Sequence, residues 1–193
     1  MAGHARYTAL LDACVLYPLA MTDALLSLAT AGFFAAKWTT EVEKEWIRSL
    51  ERQRPDLTGK LNVRRDSMRD AIADWEVPKS AWASLAQGID LPDPDDCHVL
   101  AAAIAGHADC IVTSNLKDFP DSVLFDYGIQ AIDPDTFIIN QWDLDPVNAI
   151  AAFKRMRARR KKPLSSPEDF AYALEVGGLP TTAGRLRAAA ELI

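Results

Sequence analysis

The distribution of apolar and polar residues along the chain predicts two buried strands, each followed directly by polar side chains. Residues 9–11 and 110–112 are continuous apolar runs. We predict strands over residues 8–12 and 110–113, because short apolar runs bounded by turn residues are typical of buried parallel strands. Asp12 ends the first of them, at the edge where open α/β sheets bind ligands. An isolated Asp in this place is more typical of a turn or a helix cap.

Helical spacing replaces the apolar runs after residue 39. Thr39 or Thr40 is a suitable helix cap, and the apolar and small residues that follow recur every three to four positions. Glu45 falls on or beside the inward stripe of this helix, three residues after an apolar position. Glu41 and Glu43 are interpreted as solvated charges of the first turn, where they suit the helix dipole. An alternative for Glu45 is a surface ion pair with Arg48.

A second helix start precedes an alanine-rich stretch that ends at Gly106. Asp95 or Asp96 is a suitable N-cap, yet three aspartates stand within residues 93–96, which exceeds what one cap needs. The surplus indicates ligand binding. His98, one turn into the helix, is expected to be a packed or surface imidazole and not a metal ligand.

The loop after the second predicted strand carries Asn115 and Asp118. It too lies beyond the carboxyl end of a strand. The alternative for these two residues is an Asn/Asp turn without chemistry.

Four acidic residues therefore stand at places that the pattern directs inward: Asp12, Glu45, Asp96 and Asp118. Carboxylates brought together repel one another and lose solvation, so such a cluster calls for a cation. Hard divalent cations such as Mg²⁺ prefer oxygen ligands. A metal held by carboxylates commonly serves phosphate-ester chemistry, so the cluster indicates an enzyme of that class.

These segments resemble a known family in their order and spacing. LLDACVLYP, the Glu of EVEKEW, DDCHVLAAA and IVTSNLKDFP resemble the motifs of PIN-domain ribonucleases, and especially of the VapC-type toxins of bacterial toxin–antitoxin pairs. The resemblance covers residues 6–138, and residues 127–137 resemble the family's last strand and the loop into its last helix. It implies an α/β fold, a three-layer α/β/α sandwich with a parallel central sheet. It also implies endonucleolytic cleavage of RNA with Mg²⁺ or Mn²⁺.

Carried over by position, the resemblance assigns the catalytic acidic residues to Asp12, Glu45, Asp96 and Asp118. The first, third and fourth would hold the metal, directly or through water. Glu45 would be either a further ligand or the group that accepts a proton from the attacking water. One metal and two metals both remain open.

Two further positions support the acidic ones in the family. Thr113 matches a polar strand-end residue that contacts the acidic cluster. Asn115 departs from the family, where many relatives carry Asp, so the site has less negative charge here. Asp93 and Asp95 are alternatives to Asp96, but Asp96 places Ala103 where the family packs this helix against the sheet.

The resemblance also implies partners. A cognate antitoxin would cover the acidic groove, with an Arg or Lys reaching the carboxylates and an amphipathic helix in an apolar groove. Relatives commonly form symmetric dimers, so a homodimer is expected. An apolar stretch near the amino terminus is broken by Asp12 and Pro18, which argues against a signal peptide or a membrane span.

Length and charge divide the chain in two. Of 193 residues, we assign 1–142 to the nuclease domain and 143–193 to a helical extension, with predicted helices starting at residues 146, 167 and 181 or 182. The net charge is −6, yet residues 154–162 contain seven basic side chains and no acidic one. We predict that this basic strip binds RNA phosphates, the alternative being a solvated helix end. Its members are Lys154, Arg155, Arg157, Arg159, Arg160, Lys161 and Lys162.

Three cysteines, all within predicted strands or helices, are expected to be reduced core residues of a cytoplasmic protein. Two other functions remain open. One is a PIN-fold protein that binds RNA or a partner without cutting. The other is an unrelated phosphohydrolase that forms a phospho-aspartate, although the Asp-x-Asp that such enzymes carry is here Asp12-Ala13-Cys14.

Overall fold

The computed structural model describes residues 7–160 and 165–193, and within them four parallel strands form one sheet. The strands lie in the order β2-β1-β3-β4. Their bounds are β1 (Thr8–Leu11), β2 (Ala35–Lys37), β3 (Cys110–Val112) and β4 (Gln130–Ile132). The two predicted strands are thereby confirmed as β1 and β3, each a residue shorter than expected.

Helices connect the strands and then continue beyond the sheet. Before β3 they are α1 (Ala13–Leu16), α2 (Leu19–Thr30), α3 (Thr40–Gln53), α4 (Asn62–Ala71), α5 (Lys79–Trp82) and α6 (Cys97–Ala105). After β3 they are α7 (Asp121–Leu124), α8 (Pro134–Leu144), α9 (Pro146–Ala158), α10 (Pro167–Val176) and α11 (Pro180–Ala188). The expected parallel α/β fold with carboxyl-terminal helices is confirmed.

The two central strands are buried on both faces, which explains their continuous apolar sequence. Every residue of β3 and the last three of β1 are buried. The alanine-rich helix α6 packs on β1 and β3, and its small side chains allow the close approach. The edge strand β4 is less buried, since none of its three residues is fully buried.

Asp12 and the loop after β3 lie at the point where the sheet reverses its winding. From β1 the chain passes to β2 on one side of the sheet, whereas β3 lies on the other side of β1. Such a switch point opens a crevice at the carboxyl ends of its two strands. The fold thus brings together two of the four predicted acidic segments, about 100 residues apart in sequence.

The prediction that Glu43 is a solvated charge is wrong. Glu43 is 2% exposed, accepts a hydrogen bond of 3.0 Å from Trp38 Nε1 and pairs with the Arg69 guanidinium. Arg69 also lies over the Trp75 ring, with its Cζ 4.6 Å from the centroid. The acidic side chain is buried because a tertiary contact from α4 neutralises it, and first-turn position alone does not reveal such a partner.

The carboxyl-terminal helices pack against α2 and against one another. Asp135 of α8 is 5% exposed and caps α11 from outside that helix. Its carboxylate accepts hydrogen bonds from Thr181 N at 2.6 Å, from Thr182 N at 2.9 Å and from Thr182 Oγ1 at 2.6 Å. This contact is a strong link between α8 and α11, because charge-assisted hydrogen bonds satisfy the free N–H groups of a helix start.

The division of the chain at residues 142 and 143 stays a prediction; α8 runs across it, from Pro134 to Leu144. Lys161 and Lys162 of the basic strip lie outside the described residues. All three cysteines are free, as expected. Within the described ranges, no helix is both long and apolar enough to cross a membrane.

Candidate active site

Asp12 is held at the end of β1 by groups from both sides of the switch point. It is 4% exposed and serves as the N-cap of α1. Its Oδ1 accepts from Ala13 N at 2.5 Å, and its Oδ2 accepts from Thr113 Oγ1 at 2.7 Å and from Cys14 Sγ at 3.0 Å. The side chain therefore has a fixed orientation, and Thr113 makes the contact with the acidic cluster that the resemblance implied.

Asp96 reaches the same crevice from the start of α6. Although it occupies the N-cap position, its side chain makes no capping hydrogen bond. Asp93 closes the preceding 3₁₀ turn instead, accepting from Asp95 N at 2.9 Å, and Asp95 is exposed. The Asp96 carboxylate is thus not used for capping, and of the three neighbouring aspartates it alone lines the cavity described below.

The protonation of Asp96 reports how much negative charge surrounds it. Burial first, and then the charges of Asp12, Asp93 and Asp118, raise the Asp96 pKa from 3.8 to about 7, while His98 acts in the opposite direction. Burial and the negative charges near Asp96 thus outweigh the opposing charge of His98.

The loop after β3 contributes the other two predicted residues. Asn115 lines the cavity, and its backbone N–H donates to Thr113 Oγ1 at 3.0 Å. Asp118 ends a 3₁₀ turn and is half-buried. It does not line the cavity, but it lies close enough for its charge to raise the pKa of Asp96.

Glu45 comes from α3 and is paired, though not with Arg48. His98 Nε2 lies 2.8 Å from Glu45 Oε1, an ion-pair distance, although the approach lacks the direction of a hydrogen bond. Burial opposes a charge on His98, but Glu45, Asp12 and Asp96 outweigh it and raise the His98 pKa. The imidazole is mostly buried, at 16% exposure, and its ring centroid is 5.8 Å from that of Trp82. His98 is a packed side chain, as expected, and it faces the acidic residues.

These side chains border a cavity of about 400 Å³ at the switch point. We divide its lining residues by charge. Asp12, Glu45 and Asp96 are called the acidic wall, and Tyr17, Trp46, Ser49 and Gln53 are called the uncharged wall; Cys14 and Asn115 also line the cavity. The sequence pattern did not predict that the residues of the uncharged wall line a site.

The donor set suits a hard divalent cation, since every predicted ligand offers carboxylate oxygen. The raised pKa of Asp96 also indicates a site that gains from added positive charge. In the part of the chain that the structure describes, however, no three His, Cys, Asp or Glu side chains are grouped closely enough to hold a metal ion. Asp12 engages Thr113 and Cys14 instead, and Glu45 engages His98.

Two residues near the cavity were missed in the sequence. Burial and the charge of Asp12 raise the pKa of the Cys14 thiol to about 12, so it stays a neutral donor to Asp12. Arg64 of α4 donates to Leu16 O at 2.6 Å and to Tyr17 O at 3.2 Å, and its guanidinium lies 4.6 Å from the Trp46 ring centroid. Burial lowers the Arg64 pKa to about 10. Arg64 lies 47 positions from Tyr17, and no local motif signals such a contact.

The described part of the basic strip begins on α9 and lies outside the cavity, and three of its five cations have hydrogen-bonding partners inside the chain. Lys154 Nζ donates to Leu192 O at 3.0 Å, and Arg157 donates to Ser165 O at 3.0 Å and to Ile193 O at 2.8 Å. Arg159 pairs with Asp23 of α2 at 2.5 Å. Arg155 is exposed, and Arg160 lies 5.0 Å from the Phe170 ring centroid. Whether the strip also binds RNA stays a prediction.

A family model described as "PIN domain" matches residues 8–117, and one described as "VapC50 C-terminal domain" matches residues 134–188. A curated protein of Mycobacterium tuberculosis (strain ATCC 25618 / H37Rv), named "Putative ribonuclease VapC50", is 55% identical over 49 residues. That match covers 25% of this chain and 29% of the relative's length. No solved structure matches significantly.

Proposed function

Since the chain belongs to the PIN domain family, we propose that it is a divalent-metal-dependent endoribonuclease and the toxin of a type II toxin–antitoxin pair. The observation that carries the proposal is that Asp12, Glu45 and Asp96, which come from three separate segments of the chain, line one cavity at the switch point. Buried carboxylates are retained in such proximity where a cation offsets their charge. The printed name of the VapC50 relative, a ribonuclease, supports the choice of RNA.

Asp12, Asp96 and Asp118 would hold the metal, Mg²⁺ or Mn²⁺, and their side chains would draw together as it binds. A bound divalent ion supplies positive charge to the scissile phosphate and lowers the pKa of water at the site. The protein's own groups then position and move protons. Thr113 and Cys14 fix the orientation of Asp12 through hydrogen bonds of 2.7 and 3.0 Å.

Glu45 is the group that we assign to proton transfer, with the role of further ligand as the alternative. Glu45 comes from α3 and lines the same cavity as Asp12 and Asp96, so it could accept a proton from a water bound there. His98 holds Glu45 in place, with Nε2 2.8 Å from Glu45 Oε1. Asn115, which also lines the cavity, is placed to orient a water or a carboxylate through its amide.

The antitoxin would cover this crevice and hold an Arg or Lys against Asp96. A cationic side chain there would replace the cation that the acidic wall calls for, which explains inhibition without a conformational change in the toxin. Expression of the chain alone should then slow bacterial growth, and co-expression of the adjacent antitoxin gene should restore it. Normal growth with soluble, folded protein present would contradict the toxin assignment but not the nuclease assignment.

The nuclease assignment is tested directly. Purified chain is incubated with single-stranded RNA in the presence of Mg²⁺, Mn²⁺ or a chelator, beside the matched variants Asp12→Asn and Asp95→Asn. We expect metal-dependent cleavage by the wild-type chain and by Asp95→Asn, and none by Asp12→Asn. Cleavage that persists in the chelator, or that Asp12→Asn retains, would contradict the assignment.

A non-catalytic PIN-fold binding protein is the second candidate. It is favoured by one observation, that the described carboxylates are not grouped at metal-binding distance. The two candidates differ in a binding measurement. Titration with Mn²⁺ should quench nearby tryptophan fluorescence, including that of Trp46, and Asp12→Asn should abolish the quenching if the site binds metal. Equal curves for both proteins would favour the non-catalytic alternative.

A further inference from the structure

The uncharged wall of the cavity has a definite architecture that metal binding does not require. Glu45, Ser49 and Gln53 follow one another at four-residue intervals on α3 and all line the cavity. Residues so spaced lie on one face of a helix. The first belongs to the acidic wall and the other two to the uncharged wall, so the residues with which α3 lines the cavity change from acidic to uncharged polar along the helix.

Tyr17 and Gln53 are fixed by each other at the far end of this wall. The Tyr17 hydroxyl donates to Gln53 Oε1 at 2.5 Å. Because the amide oxygen is engaged, the Gln53 Nε2 group keeps its two N–H donors for a ligand. Tyr17 is further held by Arg64, which binds its carbonyl oxygen at 3.2 Å. The wall therefore offers a fixed aromatic ring beside a fixed pair of donors.

The same face of α3 carries two arginines. Arg48 and Arg52 are exposed and stand one turn apart. Around the helix axis their directions lie next to that of Glu45, on the side away from Ser49. Across residues 7–160 and 165–193, neither guanidinium makes an ion pair or a hydrogen bond. Unpaired arginines beside an acidic cavity are placed to bind an anionic chain that enters it.

We propose that this face of α3 is a nucleotide subsite, which holds the nucleotide next to the scissile phosphate and the phosphates that flank it. Tyr17 stacks on the base, and the Gln53 amide donates to O4 of uracil or O6 of guanine, the position at which cytosine and adenine carry an amino group. Arg48 and Arg52 bind the neighbouring phosphates. The inference rests on the proposed nuclease function for its substrate, and it deepens that function by assigning a base preference to named residues.

The first test is cleavage-site mapping on a randomised single-stranded RNA, with the wild-type chain and Gln53→Glu. Glutamate keeps the size and the acceptor but removes both N–H donors. We expect the preference at one position beside the cut to move from uracil or guanine toward cytosine or adenine, by about tenfold for one lost recognition pair. A preference that stays the same at every position would overturn the base-reading role of Gln53. Gln87→Glu, the same change at an exposed glutamine outside the cavity, is the control and should leave that preference unchanged.

The second test needs no cleavage, so it separates this proposal from the nuclease function. Binding of a fluorescent single-stranded RNA is measured in a chelator at several salt concentrations. Arg48→Gln with Arg52→Gln should reduce the salt slope by about 1.4, which is about 0.7 for each lost phosphate contact. The matched control is Arg185→Gln with Arg187→Gln on α11, two arginines that lie outside both the cavity and the basic strip and pair with acidic side chains, and it should keep the wild-type slope. An unchanged slope in the α3 variant, or a wild-type chain that binds no RNA, would overturn the subsite, with circular dichroism confirming that each variant is folded.

Discussion

Two cationic surfaces of this protein differ in density and in what their charges do. The strip on α9 is the densest basic segment of the sequence, yet Lys154, Arg157 and Arg159 donate to groups of the chain itself. The face of α3 has only Arg48 and Arg52, and within the described ranges both guanidinium groups are unpaired. It also borders the acidic cavity, whereas none of the strip residues that the structure describes does.

The difference shows that a run of basic residues measures charge and not its availability. A cation that satisfies carbonyl oxygens or a carboxylate is already stabilised, and an incoming phosphate has to compete with those partners. Two unpaired arginines offer more to a ligand than several paired ones. Of these two surfaces, the face of α3 borders the cavity, and the largest effect of a substitution is expected at the cavity.

The largest effect is expected from Asp12→Asn. The change removes a buried carboxylate from the acidic wall while keeping its shape, so RNA cleavage should fall more than about 100-fold, since even indirect partners of a metal cost about 10- to 100-fold. Initial rates on a labelled RNA measure it. Asp95→Asn is the control, because Asp95 is exposed and lies outside the cavity. Equal losses in both variants would mean that general charge, and not the cavity, governs the rate.

Arg157→Gln should act on stability and not on RNA. Its guanidinium donates to two carbonyl oxygens near the end of the described chain, at 3.0 and 2.8 Å. We expect the free energy of unfolding to fall by about 1–3 kcal/mol, the usual cost of losing hydrogen bonds from a charged group. Urea unfolding measures the loss, and RNA affinity should stay unchanged. Arg48→Gln should give the reverse result, weaker binding at unaltered stability, and the comparison fails if both variants lose binding equally.

The acidic wall gives a prediction for pH. Because the folded-state pKa of Asp96 is about 7 and its ordinary value is 3.8, the folded chain keeps a proton that the unfolded chain releases between these values. The contribution of Asp96 to stability is therefore full below about pH 4 and is lost as the pH rises to about 7. Asp96→Asn should remove this part of the pH dependence and make the metal-free protein more stable than wild type at pH 8. Denaturant midpoints measured in a chelator from pH 4 to pH 8 test it; parallel curves would contradict the raised pKa.

The smallest effect is expected when Arg159, Arg160, Lys161 and Lys162 are changed together to Gln. If the strip is chiefly structural, the salt slope of RNA binding should remain as in wild type. Loss of the exposed pair between Arg159 and Asp23 should cost no more than about 1 kcal/mol. If the strip binds RNA, as its composition predicts, the slope should instead fall by about 0.7 for each contact. Binding of the fluorescent single-stranded RNA, measured at several salt concentrations, distinguishes the two results.

The sequence was informative where one segment carries its own signal. The apolar run before Asp12 and the aspartates before an alanine-rich helix predicted β1 and α6, and each placed its acidic residue at the carboxyl edge of the sheet. Thr113 was predicted through the family, and it does contact Asp12. The catalytic roles of these residues stay predictions, since position does not by itself demonstrate chemistry.

The sequence was uninformative where a residue depends on a distant one. Glu43 has the position of a solvated charge but is buried against Arg69, 26 positions away. Tyr17 is bound by Gln53, 36 positions away, and Asp96 differs from the exposed Asp95 in its burial and in the charge of Asp12 near it. Helical spacing predicts which face a side chain occupies, and it contains no information about which element will pack there.

The cap that Asp135 places on α11 has a consequence for how the chain is made. Asp135 lies 46 and 47 positions before the two residues that donate to it, Thr181 and Thr182. During synthesis, α8 therefore leaves the ribosome well before α11, the helix that Asp135 caps. Until α11 arrives, burial of Asp135 would leave a charge without its hydrogen bonds, which disfavours the packed state of α8. We therefore expect the last part of the core to close only when the final helix is available, and the described chain to unfold in a single cooperative transition.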